Sequence, residues 1–285
     1  MNKVYQIVTD RIIAKIEEAI KNHDVLPWHK PWTEGNRPMN YVSQKVYRGI
    51  NLWLLEPGEY LTWNQICDEQ KKNRAVHLKK GSKASIVVFF KFDRKVEKNE
   101  KGEDEERRVP ILRYYNVYNV KDVEGLEPHH QAKTFATDPI EEAERIASTY
   151  VQREGIRLRT DGEDAHYSPL LDEVVVPNIK RFQVQGEYYS TLFHEMVHST
   201  GHSKRLNRLN ATAFFGSKDY SKEELVAEMG AAMLCGEVGI VDVTADNSAA
   251  YLQNWLTAIS SDPSMLVSAA GKAQKAVDYI MGAEA

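Results

Sequence analysis

Residues 194–202 read HEMVHSTGH, and a helix is the backbone that gives this string a chemical use. At 3.6 residues per turn, His194 and His198 stand one turn apart on one face, so both imidazoles can bind a single metal ion. Glu195, beside the first histidine, is then placed to take a proton from an attacking water. The flanking residues agree with a helix. In GEYYSTLFHEMVHSTGH the apolar Tyr188, Tyr189, Leu192, Phe193, Met196 and Val197 recur at i, i+3 and i+4, the pattern of a buried helical face. Gly201 can end the helix just past the second histidine.

A catalytic zinc takes three protein ligands and keeps a fourth position open. A further histidine ten residues after the first would be one solution, but Lys204 stands there. A carboxylate from a separate helix is the other. Residues 221–236, SKEELVAEMGAAMLCG, read as that helix: Ser221 as its cap, Glu224 in capping-box position, then Leu225, Val226, Met229, Met233 and Leu234 as apolar positions. Within it, Glu224-Leu-Val-Ala-Glu228 resembles the ExxA[DE] element of the gluzincins. By that resemblance Glu224 is the third ligand and Glu228, one turn on, orients a ligating histidine. Glu223 is the alternative ligand, and a purely capping Glu224 is the alternative role. No oxyanion-stabilising group is assignable, Tyr220 and His202 being the nearest candidates. Upstream, Glu173–Val176 followed by Pro177 reads as a strand whose free edge could pair with an extended peptide.

The net charge of −4 hides two unlike halves. Residues 1–125 hold 23 Lys and Arg against 18 Asp and Glu, whereas residues 126–285 hold 14 against 23. A basic half of this kind suits a polyanionic partner. Cys67 and Cys235 form neither CxxC spacing nor a disulfide framework, which favours a reducing compartment. Charges interrupt the N-terminal apolar residues, and no apolar run approaches membrane-spanning length. The expectation is a cytoplasmic protein with no membrane partner.

The chain divides into two α+β halves: residues 1–124, a linker at 125–138 carrying Gly125 and Pro128, and residues 139–285. The first half is expected to hold an amphipathic helix at 3–22, a helix from Thr62 to Lys72 with Thr62 and Gln65 in capping-box spacing, and strands at 85–92 and 109–120. The charged run VEKNEKGEDEER between those strands reads as a hairpin tip. In the second half a helix begins at Pro139 and stops at Gly155. Short strands follow near 156–159, 165–167 and 173–176, then the metal helix, the Ser221 helix, and helices near 246–260 and 264–281.

Four of the five tryptophans, Trp28, Trp32, Trp53 and Trp63, lie in the first 63 residues. KKNRAVHLKKGSK at 71–83 contributes Lys71, Lys72, Arg74, Lys79, Lys80 and Lys83 with no acidic residue, and Arg48 lies in an aromatic-rich loop. Cationic grooves with aromatic faces bind single-stranded nucleic acid. Zinc fingers, helix-turn-helix units and basic zippers are missing, which favours single strands over sequence-specific duplex reading.

Two blocks in order carry a family resemblance. PW..PW, RPMNYVSQKVYRGIN, YLTWNQ and HLKKGSKASIVVFF resemble the N-terminal domain of ArdC-type antirestriction proteins, which some plasmid primases share. YSPLLDEVVVPN, YYSTLFHEMVHSTGHSKRLNR and YSKEELVAEMGAAMLCGEVGI resemble the same family's C-terminal metallopeptidase domain. The resemblance implies a single-stranded-DNA-binding domain joined to a zincin-like, gluzincin-type domain carried on a mobile element and protecting incoming DNA from host restriction. It implies one divalent metal ion, zinc, on His194, His198 and Glu224, with Glu195 catalytic. Its partners would be single-stranded DNA and a protein substrate left open, with host restriction components among the candidates. Two further readings stay open here: a DNA-binding protection protein whose metal site is structural, and a peptidase whose basic half binds an acidic protein.

Overall fold

The computed structural model describes residues 3–22, 37–98, 104–129, 139–209, 218–240 and 259–283. Helix α1 (Lys3–Asn22) buries Val4, Val8, Ile12 and Ile16, a stripe with a four-residue step. Strand β1 (Met39–Asn40), the short helix α2 (Asn51–Leu54) and strand β2 (Glu59–Thr62) follow. Helix α3 (Trp63–Lys72) starts with the expected capping box, in which Thr62 and Gln65 satisfy each other's backbone donors. Beyond β3 (His77–Leu78), the long strands β4 (Ser85–Lys98) and β5 (Asp104–Asn119) pair antiparallel, from Ser85 opposite Val117 to Lys98 opposite Asp104. The ladder therefore runs well into the charged stretch expected as a tip. Strand β6 (Val123–Glu124) pairs with β3.

The main sheet has the order β1-β2-β5-β4, so β4 is an edge. The Asn51 side chain covers part of that edge: its Nδ2 donates to Val88 O at 2.9 Å, and Val88 N–H donates to its Oδ1 at 2.6 Å. Unpaired strand edges invite foreign strands, and an amide side chain in ladder position removes one such opening.

Helix α4 (Pro139–Glu154) ends at Gly155, whose φ of +66° suits glycine at a helix C-terminus. A three-stranded sheet follows in the order β7-β9-β8, with β7 (Arg157–Arg159) parallel and β8 (His166–Ser168) antiparallel to the central β9 (Glu173–Val175). Then come α5 (Gln185–Thr200), α6 (Lys218–Val238) and α7 (Met265–Met281). One expectation needs correcting. Helix α6 begins three residues before Ser221, so Ser221 and Glu224 lie inside it and form no capping box. A Ser-x-x-Glu string caps only where the preceding chain leaves the helix, and here no glycine or proline after Gly216 makes it leave. Of the helix expected near 246–260, the stretch 241–258 lies outside the described residues and 259–261 is helical.

The largest buried cluster is continuous across both halves. Val8, Ile12, Trp53, Ile86 and Leu112 belong to it together with Phe193, Leu225, Leu234, Ala270 and Val277. Polar ties run the same way: Thr9 Oγ1 donates to Pro263 O at 2.9 Å, Gly49 N–H donates to Gln274 Oε1 at 3.2 Å, and Arg48 pairs with Asp278. No helix among the described residues is long and apolar enough to cross a membrane.

Candidate metal centre

Helix α5 buries the residues its periodicity marked, Leu192, Phe193, Met196 and Val197 among them. That burial fixes its rotation and turns His194 and His198 toward α6. Their Nε2 atoms lie 3.1 Å apart. The Glu224 carboxylate closes a triangle, with Oε2 3.5 Å from His194 Nε2 and Oε1 3.4 Å from His198 Nε2. One ligand atom from each of the three residues falls within 4.8 Å of the others. A tetrahedral ion with bonds of about 2.0–2.2 Å needs ligand atoms about 3.3–3.5 Å apart, so the donor set fits a divalent cation.

The remaining ring nitrogens face other carboxylates. His198 Nδ1 is 3.4 Å from Glu223 Oε1, and His194 Nδ1 is 3.9 Å from Glu228 Oε1. Glu223, the alternative ligand, thus stands on the far side of the His198 ring from the three-atom cluster. Glu228 lies on the Nδ1 side of the other histidine, beyond hydrogen-bond length. Burial alone would push the His198 imidazole down; Glu223 and Glu224 outweigh it and hold it up at about 10. Burial would likewise raise the Glu224 carboxyl, yet the two histidines keep it well below the usual carboxylate range. As the side chains stand, the cluster draws positive charge.

Glu195 is 7% exposed, and no polar group of the described residues hydrogen-bonds its carboxylate. Its position one residue after His194 puts a nearly buried acid beside the first of the three donors.

Two arginines that sequence reasoning missed hold this arrangement. Both come from the turn after α5, and both donate to carbonyls of its last helical turn. Arg208 donates to Val197 O at 2.7 Å and Thr200 Oγ1 at 2.9 Å, and grips Glu223 through Nε at 2.8 Å and a terminal nitrogen at 2.7 Å. Arg205 donates to Ser199 O at 2.7 Å and Tyr167 Oη at 3.0 Å, and pairs with Asp172. Burial pushes the Asp172 carboxyl up, but Arg205 and Tyr167 bring it down to about 2. No local pattern marks these arginines; only the folded turn brings them to α6 and to β8. His202 Nδ1 accepts from Lys204 N–H at 3.1 Å, and the Tyr220 side chain lies outside the described residues.

The candidate nucleic-acid residues divide. Trp28 and Trp32 lie outside the described residues. Trp53 is a core residue, 1% exposed, whereas Trp63 is 54% exposed and meets Tyr118 edge-on. Arg48 is engaged by Asp278. Lys71 and Lys72 pair with Asp68 and Glu69, each at 2.7 Å, and Lys79 Nζ donates to Lys121 O at 2.7 Å. Arg74, Lys80 and Lys83 are exposed.

This fold and site have known counterparts. A family model described as a zincin-like metallopeptidase matches residues 144–272, and one described as the N-terminal domain of the anti-restriction factor ArdC matches residues 2–118. The chain is an α+β protein with a zincin-like C-terminal part. The crystal structure of the antirestriction protein ArdC from plasmid R388 superposes with a TM-score of 0.73 at 34% identity, covering 97% of this chain and 96% of that one. Its Mn(II)-bound form gives 0.73 at 35% identity over 98% and 97%. The protein y4eC of Sinorhizobium fredii is 32% identical over 97% of this chain and 91% of its own length. The DNA primase TraC of Escherichia coli is 29% identical over 98% of this chain, which spans 20% of that protein. The chain belongs to the ArdC family of antirestriction proteins. The zincin-like fold, the clustered donors and a metal-bound relative together support a divalent metal site.

Proposed function

We propose that the protein shields DNA of a mobile element from host restriction, binding single strands through residues 1–124 and cutting a peptide bond at a metal site in residues 139–285. The observation that carries the peptidase half is the convergence of His194, His198 and Glu224 beside the nearly buried acid Glu195. His194, His198 and Glu224 would hold the ion, zinc by the donor set. Such an ion acidifies water and polarises a carbonyl. The chain's own side chains do the rest. Glu195 takes the proton of the attacking water and passes it to the departing amine. Glu223 faces His198 Nδ1 and Glu228 stands on the Nδ1 side of His194, so each ring would turn its Nε2 toward the ion and give up the Nε2 proton when the ion binds. Exposed Arg74, Lys80 and Lys83 supply part of the cationic track for phosphates.

Metal analysis of purified protein and of Glu195→Gln, with hydrolysis of denatured protein substrates by each, tests the site. The variant should keep its metal and lose hydrolysis. Antirestriction that survives in that variant would instead favour a protection protein whose metal is structural.

A further inference from the structure

Trp63 opens α3 with its ring 54% exposed, and Tyr118 of β5 meets it edge-on, 6.5 Å between ring centroids. Tyr118 lies opposite Leu61 in the ladder and packs on the small buried cluster of Leu61, Ile66, Val76, Val120 and Val123. The indole is thus braced by one anchored ring and otherwise largely open. Cations follow along the same chain. Three residues take Tyr118 to Lys121, about 10 Å at full extension. The turn at 79–83 lies against Lys121: Lys79 Nζ donates to Lys121 O at 2.7 Å, Lys79 N–H donates to Asp122 O at 2.9 Å, and Ser82 Oγ donates to Lys79 O at 2.7 Å. Lys80, Lys83 and Lys121 are exposed, and none of their ammonium groups pairs with a carboxylate among the described residues. No Asp or Glu occurs from 73 to 92 or from 109 to 121. Asp122 comes next, and Glu124 beyond it pairs with His77 at 3.1 Å.

We propose that Trp63, braced by Tyr118, and the lysines of these two turns form a subsite for single-stranded DNA, the indole stacking on one base while Lys80, Lys83 and Lys121 meet the phosphates beside it. The proposal rests on the single-strand-binding reading above and gives it a location. Ring and charge select the occupant together. A base that stacks on a side chain must be unpaired, and a duplex keeps the faces of its bases inside, so an open indole favours a single strand. The lysines call for a polyanion, and phosphates spaced along one strand supply it next to the stacked base. The fold also divides the basic run of 71–83. Lys71 and Lys72 are paired with Asp68 and Glu69 on α3, so the 79–83 turn and Lys121, rather than the helix end, present charge to a ligand.

Fluorescence anisotropy of a labelled oligothymidylate tests this on the full chain. Wild type, Trp63→Ala, Trp63→Tyr and Lys80→Gln/Lys83→Gln are titrated at several salt concentrations. Trp63→Ala should weaken binding by about five- to a hundredfold, and Trp63→Tyr, which returns a ring, should recover most of that loss. The lysine pair should flatten the logarithmic salt slope by about 1.4, at about 0.7 for each phosphate contact removed. All three side chains are exposed, so melting temperatures should hold. A strand bound alike by wild type and every variant would remove the subsite and leave the strand-binding reading in place. No binding by wild type would remove both. Labelled polyglutamate bound as tightly as the strand, with the same loss in Trp63→Ala, would give the surface to an acidic protein and overturn the proposal.

Discussion

Gly230 of α6 rests directly against Val197 of α5: a Cβ on Gly230 would come within 2.7 Å of Val197 Cγ2. Val197 sits between the two histidine turns, and Gly230 lies six residues beyond Glu224. The missing side chain lets the two helices approach closely enough for Glu224 to reach both imidazoles. Gly230→Ala should therefore destabilise the fold by about 1–3 kcal/mol, despite the better helix propensity of alanine. It should also lower metal affinity. A variant that melts higher and binds metal normally would show that the approach has slack.

Glu195→Gln removes the proton acceptor and leaves the three donors untouched. Peptide hydrolysis should fall by about 10²–10⁴-fold with metal content unchanged. Metal lost together with activity would mean that residue 195 acts as a ligand.

Arg208 grips Glu223, and Glu223 faces His198 Nδ1. Partners one step behind a metal ligand are worth about 10–100-fold in metal affinity. Arg208→Gln and Glu223→Gln should each lose affinity in that range in competition with a chromophoric chelator. Glu228→Gln, whose carboxylate stands 3.9 Å from its histidine, should lose less. The reverse ranking would transfer the orienting role to Glu228.

Asp172 ties the turn after α5 to β8 through Arg205 and Tyr167. Its carboxyl sits at about 2 when folded against about 3.9 in an unfolded chain. A depressed carboxyl contributes its stability in full above the unfolded value and loses it as pH falls toward the folded one. The contribution, about 1–2 kcal/mol after solvent screening, should drain between about pH 4 and pH 2. In acid titrations followed by circular dichroism, Asp172→Asn should be less stable than wild type at neutral pH and converge with it near pH 2. A constant gap down to pH 2 would assign the destabilisation to something other than this charge.

What the sequence disclosed follows the range of the interactions involved. The α5 periodicity, the Thr62–Gln65 box and the Gly155 terminus are settled within a few residues, and each has a local signature. The family resemblance supplied Glu224, which no periodicity could single out from Glu223 one position earlier. Distinguishing them takes the rotation of α6 against α5, set by Gly230 and the packed faces. Arg205 and Arg208 were invisible for the same reason, since their partners lie on β8, at Asp172 just before β9, and on α6. Trp53 and Trp63 show the limit of composition: ten residues apart, one fills the core and the other faces solvent.

The first helix and the last share one buried cluster, and Thr9 reaches across the chain to the carbonyl of Pro263. During synthesis, α1 can meet α2 and β5 early, but its packing against residues 265–281 waits until they have left the ribosome. Such long-range closure slows folding and prolongs exposure of sticky surface.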